Sequence, residues 1–221
     1  MGPRLPSAGK PKRDPKIVIK NVSGGGDEQV IINENQRTLP LSWSSDGHYL
    51  LYRLNLTLTG EIKILLLREH KEVKLIDVKS TGAGADLSPD SKWVAYVSAE
   101  SGSPQEIYVV PFHSTSDGVG LGQAKWQITS GGGVGPFWRA DSKEMYFSSN
   151  YFVGIASVSL VANRDHLEVG TMRNLFDLGA HPVSRFLAST RDGQKFYAVT
   201  YGPGSDAPFS VTFNWPALLK K

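Results

Sequence analysis

The stretch Ala85 to Phe112, ADLSPDSKWVAYVSAESGSPQEIYVVPF, sets the pattern of the chain. It predicts a strand ending at Leu87-Ser88, a tight turn through Pro89-Asp90-Ser91 and a strand from Lys92 to Ser98. A polar loop and a third strand from Glu106 to Phe112 follow. The three form an antiparallel meander. Its middle strand runs Trp93-Val94-Ala95-Tyr96-Val97 without a polar break, so both of its faces must be covered, because alternate residues of a strand point to opposite sides.

The same pattern recurs around one aspartate per copy. LSWSSDGHYLLYR places Asp46, ADLSPDSKWVAYV Asp90, PFWRADSKEMYFS Asp141 and LASTRDGQKFYAV Asp192, at intervals of 44, 51 and 51 residues. Positions four to six after each aspartate are apolar in all four copies: Leu50 to Tyr52, Val94 to Tyr96, Met145 to Phe147 and Phe196 to Ala198. Self-similarity at about 40 to 50 residues is the spacing of β-propeller blades of four strands each. Each blade lies between two neighbours, which accounts for the doubly apolar middle strands.

The aspartate has a mechanical role in this reading. Its carboxylate accepts backbone N–H groups just ahead of it and closes the turn, and the following Gly47 and Gly193 tolerate positive φ. Asp46, Gly47, Asp90, Asp141, Asp192 and Gly193 are therefore structural turn residues. Ser91 and Ser142 stand at the glycine position in the other copies, which predicts plain type I turns without a left-handed residue there. Trp43 and Trp138 share a place three before the aspartate, so both are expected in the packing between blades.

Two leading strands, Lys16 to Val22 and Glu28 to Ile32, precede the repeats. Third strands are expected at 61–67, 106–112, 153–160 and 209–215, and fourth strands near 72–77, 125–129 and 171–178. The last copy has no fourth strand. No window carries a capped helical period. The fold class is all-β: a β-propeller fragment of about four four-stranded antiparallel blades plus the leading pair, in an open arc. Blades lie near 38–78, 83–130, 134–178 and 183–215 within a partial propeller spanning 16–221. Residues 1–15, mostly Pro, Gly and basic, read as a disordered tail.

Charge narrows the partners. The net charge is +3, but residues 1–20 hold six basic residues against one acidic, leaving −2 for the remainder. The folded part has no excess positive charge for a phosphate backbone, so nucleic acid is not an expected partner. Zero cysteines exclude disulfides, thiol catalysis and cysteine-held metal. No apolar run reaches the length of a membrane span, and the first residues lack the apolar core of a signal peptide.

Three segments carry a resemblance: LSPDSKWVAYVSAESGSPQEIYVVPF (87–112), KWQITSGGGVGPFWRADSKEMYF (125–147) and SVTFNWPALLKK (210–221). The repeat resembles that of TolB-like, WD-repeat-like bacterial propellers. The three segments in this order are most similar to the C-terminal propeller segment of bacterial receptor-like serine/threonine protein kinases. That resemblance implies a non-catalytic, extracytoplasmic module that binds a protein or small ligand. The alternatives are the propeller domain of a prolyl-oligopeptidase-like hydrolase and a TolB-like periplasmic scaffold.

No motif in the chain itself supplies catalysis. Arg164-Asp165 and Asp177-Leu178-Gly179 only faintly match kinase motifs, with Gly170 where a metal-binding Asn belongs. There is no Gly-x-Ser-x-Gly elbow, and His48, His70, His113, His166 and His181 are scattered. No enzyme activity, cofactor or metal is therefore expected. The glycine run Ser130 to Gly135 reads as a close crossing between blades rather than an anion-binding loop. Open blade edges at either end invite self-association.

Overall fold

The structure is a computed structural model and describes residues 16–20, 27–80, 84–116, 118–149, 154–163, 166–177, 183–190 and 193–200. Every regular element among them is a strand. The leading pair is β1 (Lys16–Ile19) with β2 (Gln29–Asn33). Blade 1 is β3 (Thr38–Trp43), β4 (Tyr49–Leu54), β5 (Thr59–Leu66) and β6 (Lys71–Lys79). Blade 2 is β7 (Ala85–Leu87), β8 (Trp93–Ser98) and β9 (Glu106–Thr115), whose outer edge is shared by β10 (Gly118–Leu121) and β11 (Trp126–Gln127). Blade 3 is β12 (Val134–Trp138), β13 (Glu144–Ser149), β14 (Gly154–Asn163) and β15 (His166–Asp177). A final pair, β16 (Val183–Ser189) and β17 (Phe196–Thr200), begins blade 4.

Each complete blade is an antiparallel meander, and the blades form an open arc in which β3, β7, β12 and β16 lie side by side as innermost strands. The β10 hairpin was not expected from the sequence. The third strand expected at 209–215 and the tail at 1–15 lie outside the described residues.

The period-2 reading of β8 explains how the blades hold together. Trp93, Ala95 and Val97 enter one core with Trp138, Met145, Phe147, Val158 and Leu160 of blade 3. Val94 and Tyr96 enter another with Leu51, Ile62, Ile64 and Leu66 of blade 1. One strand thus supplies two cores, and all six of its residues are buried. Full burial of an aliphatic or aromatic side chain stabilises by roughly 1.5–3 kcal/mol, so these interfaces dominate the cohesion of the arc. A third core joins Ile17 and Ile32 of the leading pair to Leu50, Tyr52 and Leu65 of blade 1.

The four turns share one geometry. Each N–H of Gly47, Ser91, Ser142 and Gly193 donates to the carbonyl three residues earlier, at 2.8–2.9 Å. Asp46, Asp90 and Asp141 accept the N–H two residues on, from His48 (2.9 Å), Lys92 (3.3 Å) and Lys143 (3.0 Å). Asp192 lies outside the described residues. The serines correct the sequence reading: φ is +54° at Ser91 and +60° at Ser142, as left-handed as Gly47 (+75°) and Gly193 (+70°). The hydrogen bonds on both sides fix the backbone, and the side chain at this position does not choose it. The Ser44 hydroxyl reinforces the first turn by accepting from His48 and Tyr49, and the Ser88 hydroxyl does the same with Lys92 and Trp93.

A left-handed L-residue costs roughly 1 kcal/mol, so S91G should raise the midpoint of thermal unfolding. S142G should gain less, because the Ser142 hydroxyl accepts the Asp90 N–H at 3.1 Å and ties turn to turn. Equal gains in paired melting curves would show that this tie contributes nothing.

The second correction concerns the tryptophans. Trp138 is 6% exposed, and its indole N–H donates to the Asp86 carbonyl of blade 2 at 3.3 Å. Trp43 holds the same register in blade 1, opposite Leu50 as Trp138 is opposite Met145, yet it is 49% exposed. In every complete blade the innermost strand follows the outermost strand of the blade before. By that rule β1 and β2 are the outer half of a preceding blade. Nothing among the described residues supplies its inner half, so Trp43 remains uncovered.

Candidate functional site

Polar groups are concentrated where blades meet. Asp86 sits on β7, between β3 and β12. Its carboxylate accepts the Ser42 hydroxyl of blade 1 at 2.5 Å and the Trp138 N–H of blade 3 at 2.8 Å. One side chain thus links the innermost strands of three blades. Burial pushes its carboxyl up to about 6, against the opposing pull of the Ser42, Trp138 and Leu87 donors.

Glu106, at the start of β9, explains the glycine run. Its buried carboxylate accepts the N–H groups of Gly131 (2.9 Å) and Gly132 (3.1 Å) and the Thr129 hydroxyl. The backbone donors of the glycine run are directed to the protein's own carboxylate rather than to an external anion. Gly133 closes the crossing: a Cβ there would lie 2.8 Å from the Thr129 methyl and 3.0 Å from Ile107.

Two further charged residues are buried. Arg53, 1% exposed, donates from Nη2 to the carbonyls of Thr57 (3.0 Å) and Ser80 (2.5 Å), and desolvation lowers its pKa. Glu144 is 6% exposed and takes up Arg139 and Arg173 (3.0 Å). The Arg139 guanidinium also holds the Asp141 carboxyl below the usual carboxylate range.

The turns of blades 2 and 3 flank a cleft of about 550 Å³ lined by Asp90, Lys92, Trp93, Asp141, Ser142, Lys143 and the Leu160–Ala162 end of β14. Asp90 and Asp141 have their carboxylates engaged at the turns. The exposed Lys92 and Lys143 remain to meet a ligand. The sequence pointed to Asp90 and Asp141 as turn residues, and the structure places both at the rim of this cleft. Asp46 and Gly47 close the turn of blade 1 away from it. The roles of Asp86, Glu106, Arg53 and Glu144 were not read from the sequence. Their signal was a charged residue inside or at the start of an apolar strand. Among the described residues no three His, Asp or Glu side chains come together as a metal site.

An arc of four-stranded antiparallel sheets, innermost strands side by side, defines a β-propeller architecture. Comparison with known proteins agrees. The chain is similar in fold to TolB from Acinetobacter baumannii, at TM-score 0.60 and 17% identity, covering 83% of this chain and 42% of that one. It is likewise similar to a putative TolB from Agrobacterium tumefaciens, at TM-score 0.55 and 20% identity, covering 81% and 64%. The chain therefore spans less than two thirds of either structure's length. No family model and no curated protein matches it.

Proposed function

We propose that the chain is a non-catalytic binding module, a propeller portion of a bacterial receptor-like serine/threonine kinase, that holds a protein ligand in the cleft between blades 2 and 3. The observation that carries this reading is the use of the charges inside the arc: the buried Glu106, Arg53 and Glu144 and the part-buried Asp86 are bonded to the scaffold itself. What faces solvent at the cleft is a pair of lysines beside an apolar floor. Rigid sheets presenting such loops are suited to recognition. The resemblance of 87–112, 125–147 and 210–221 supports the kinase context.

The purified chain is expected to phosphorylate no general protein substrate with ATP and to hydrolyse no peptide p-nitroanilide above buffer. The coding sequence upstream of Met1 is expected to encode a kinase domain and a membrane-spanning helix. Turnover that follows the protein through successive columns, or a hydrolase domain encoded after Lys221, would overturn the reading.

A further inference from the structure

The two ends of the arc are complementary. One end presents β1–β2, the outer half of a blade, with Trp43 half exposed where an inner strand would pass. The other end presents β16–β17, the inner half of a blade, paired only with each other among the described strands. Ala188 of β16 stands at the register position of Asp86: Ala188 faces Tyr197 as Asp86 faces Ala95. In the complete interface between blades 2 and 3, the Asp86 carbonyl receives the Trp138 indole. The carbonyl of Ala188 is thus the acceptor that an equivalent interface would offer to Trp43.

The faces match as well. On the leading pair, Ile17 and Ile32 are buried against blade 1, while Val18 and Val30, paired across the strands, are 43% and 46% exposed on the opposite side. On blade 3, the face turned toward the last blade carries Phe176, which packs on Phe196, together with Val161. These two are 37% and 54% exposed. The outer half of a last blade would cover them, and an outer half with an apolar face is what β1–β2 presents. Within one chain the two pairs remain separate two-stranded sheets.

We infer that two copies of the chain associate head to tail, the β1–β2 pair of one completing the β16–β17 pair of the other as a four-stranded composite blade. Pairing at both ends closes both edges and stops assembly at two copies, as expected when a heterologous contact closes on itself. The inference does not depend on the kinase reading, because it rests on strand edges and apolar faces alone.

Light scattering on the purified chain should give about twice the 24.1 kDa monomer mass, falling to the monomer value in V18K/V30K with an unchanged far-ultraviolet spectrum. These substitutions are at exposed positions, so the monomer keeps its cores. The absence of native cysteine permits a second measurement. A copy carrying only V18C, mixed with a copy carrying only V161C and treated with a short bis-maleimide, should give a cross-linked pair that neither copy gives alone. A wild-type chain that stays at monomer mass at high concentration, association that survives V18K/V30K, or a V18C copy that cross-links equally well to itself would overturn the inference. Failure of the mixed pair to cross-link while the mass stays doubled would also overturn it, assigning the contact to another segment such as 209–215.

Discussion

Replacing Arg53 with methionine should lower the stability of the chain by roughly 3 kcal/mol, because the buried Ser80 carbonyl and the part-buried Thr57 carbonyl would both lose the guanidinium as a charged donor. Methionine restores much of the volume, so the loss reports the hydrogen bonds rather than a cavity. Nη2 donates to both Thr57 and Ser80, joining the β4–β5 loop to the end of β6. Tight packing adds to the constraint: a Cβ at Gly60 would lie 2.9 Å from Arg53 Nε. R53K should recover part of the loss, since an ammonium keeps the charge but cannot spread its donors in a plane. Urea denaturation of the three proteins checks this. R53M and wild type with coincident midpoints would show that the buried guanidinium does not hold blade 1.

Asp86 should make the chain less stable as pH rises from about 4 to about 6. Its folded pKa of about 6 lies above the ordinary aspartate value of 3.8. In that window the native state binds the proton more tightly than the unfolded state, so stability is full below the lower value and is lost as pH passes through the upper one. The shift corresponds to about 3 kcal/mol. This is an upper bound, because part of the side chain still meets solvent. D86N removes the titration while keeping two contacts: its carbonyl can accept from Trp138, and its amide can donate to the Ser42 hydroxyl. D86N should match wild type within about 1 kcal/mol near pH 4 and exceed it at pH 7.5. Chemical denaturation at the two pH values decides. An equal difference at both would show that Asp86 does not titrate in the window.

The blades were legible because the signal was repeated and apolar. The triplets after each aspartate marked β4, β8 and β13, and their lack of polar breaks announced cores on both faces. The aspartate turns were legible for the same reason, although Ser91 and Ser142 hid a left-handed backbone behind ordinary side chains. The tryptophan pair was misread because equal register does not ensure equal surroundings: Trp138 has a whole blade before it and Trp43 half of one. Asp86 and Glu106 stayed hidden because their partners lie 52 and 25 residues away, on the innermost strand of the next blade and in the loop that leads to it. A single charged residue beside apolar neighbours shows that something must compensate it, but not what. The cleft at Lys92 and Lys143 was invisible because it exists only where two turns from different blades are brought side by side.

The alternation along β8 also limits how this chain can change length. One residue added within the strand would exchange its two faces, sending the Trp93 indole toward blade 1 and leaving blade 3 with the smaller set of side chains. Two added residues would restore the faces and only displace the turn. The middle strands therefore tolerate growth in steps of two, whereas the loops on the rim can lengthen by any number. New specificity can accumulate at the rim while the spacing inside the blades stays fixed.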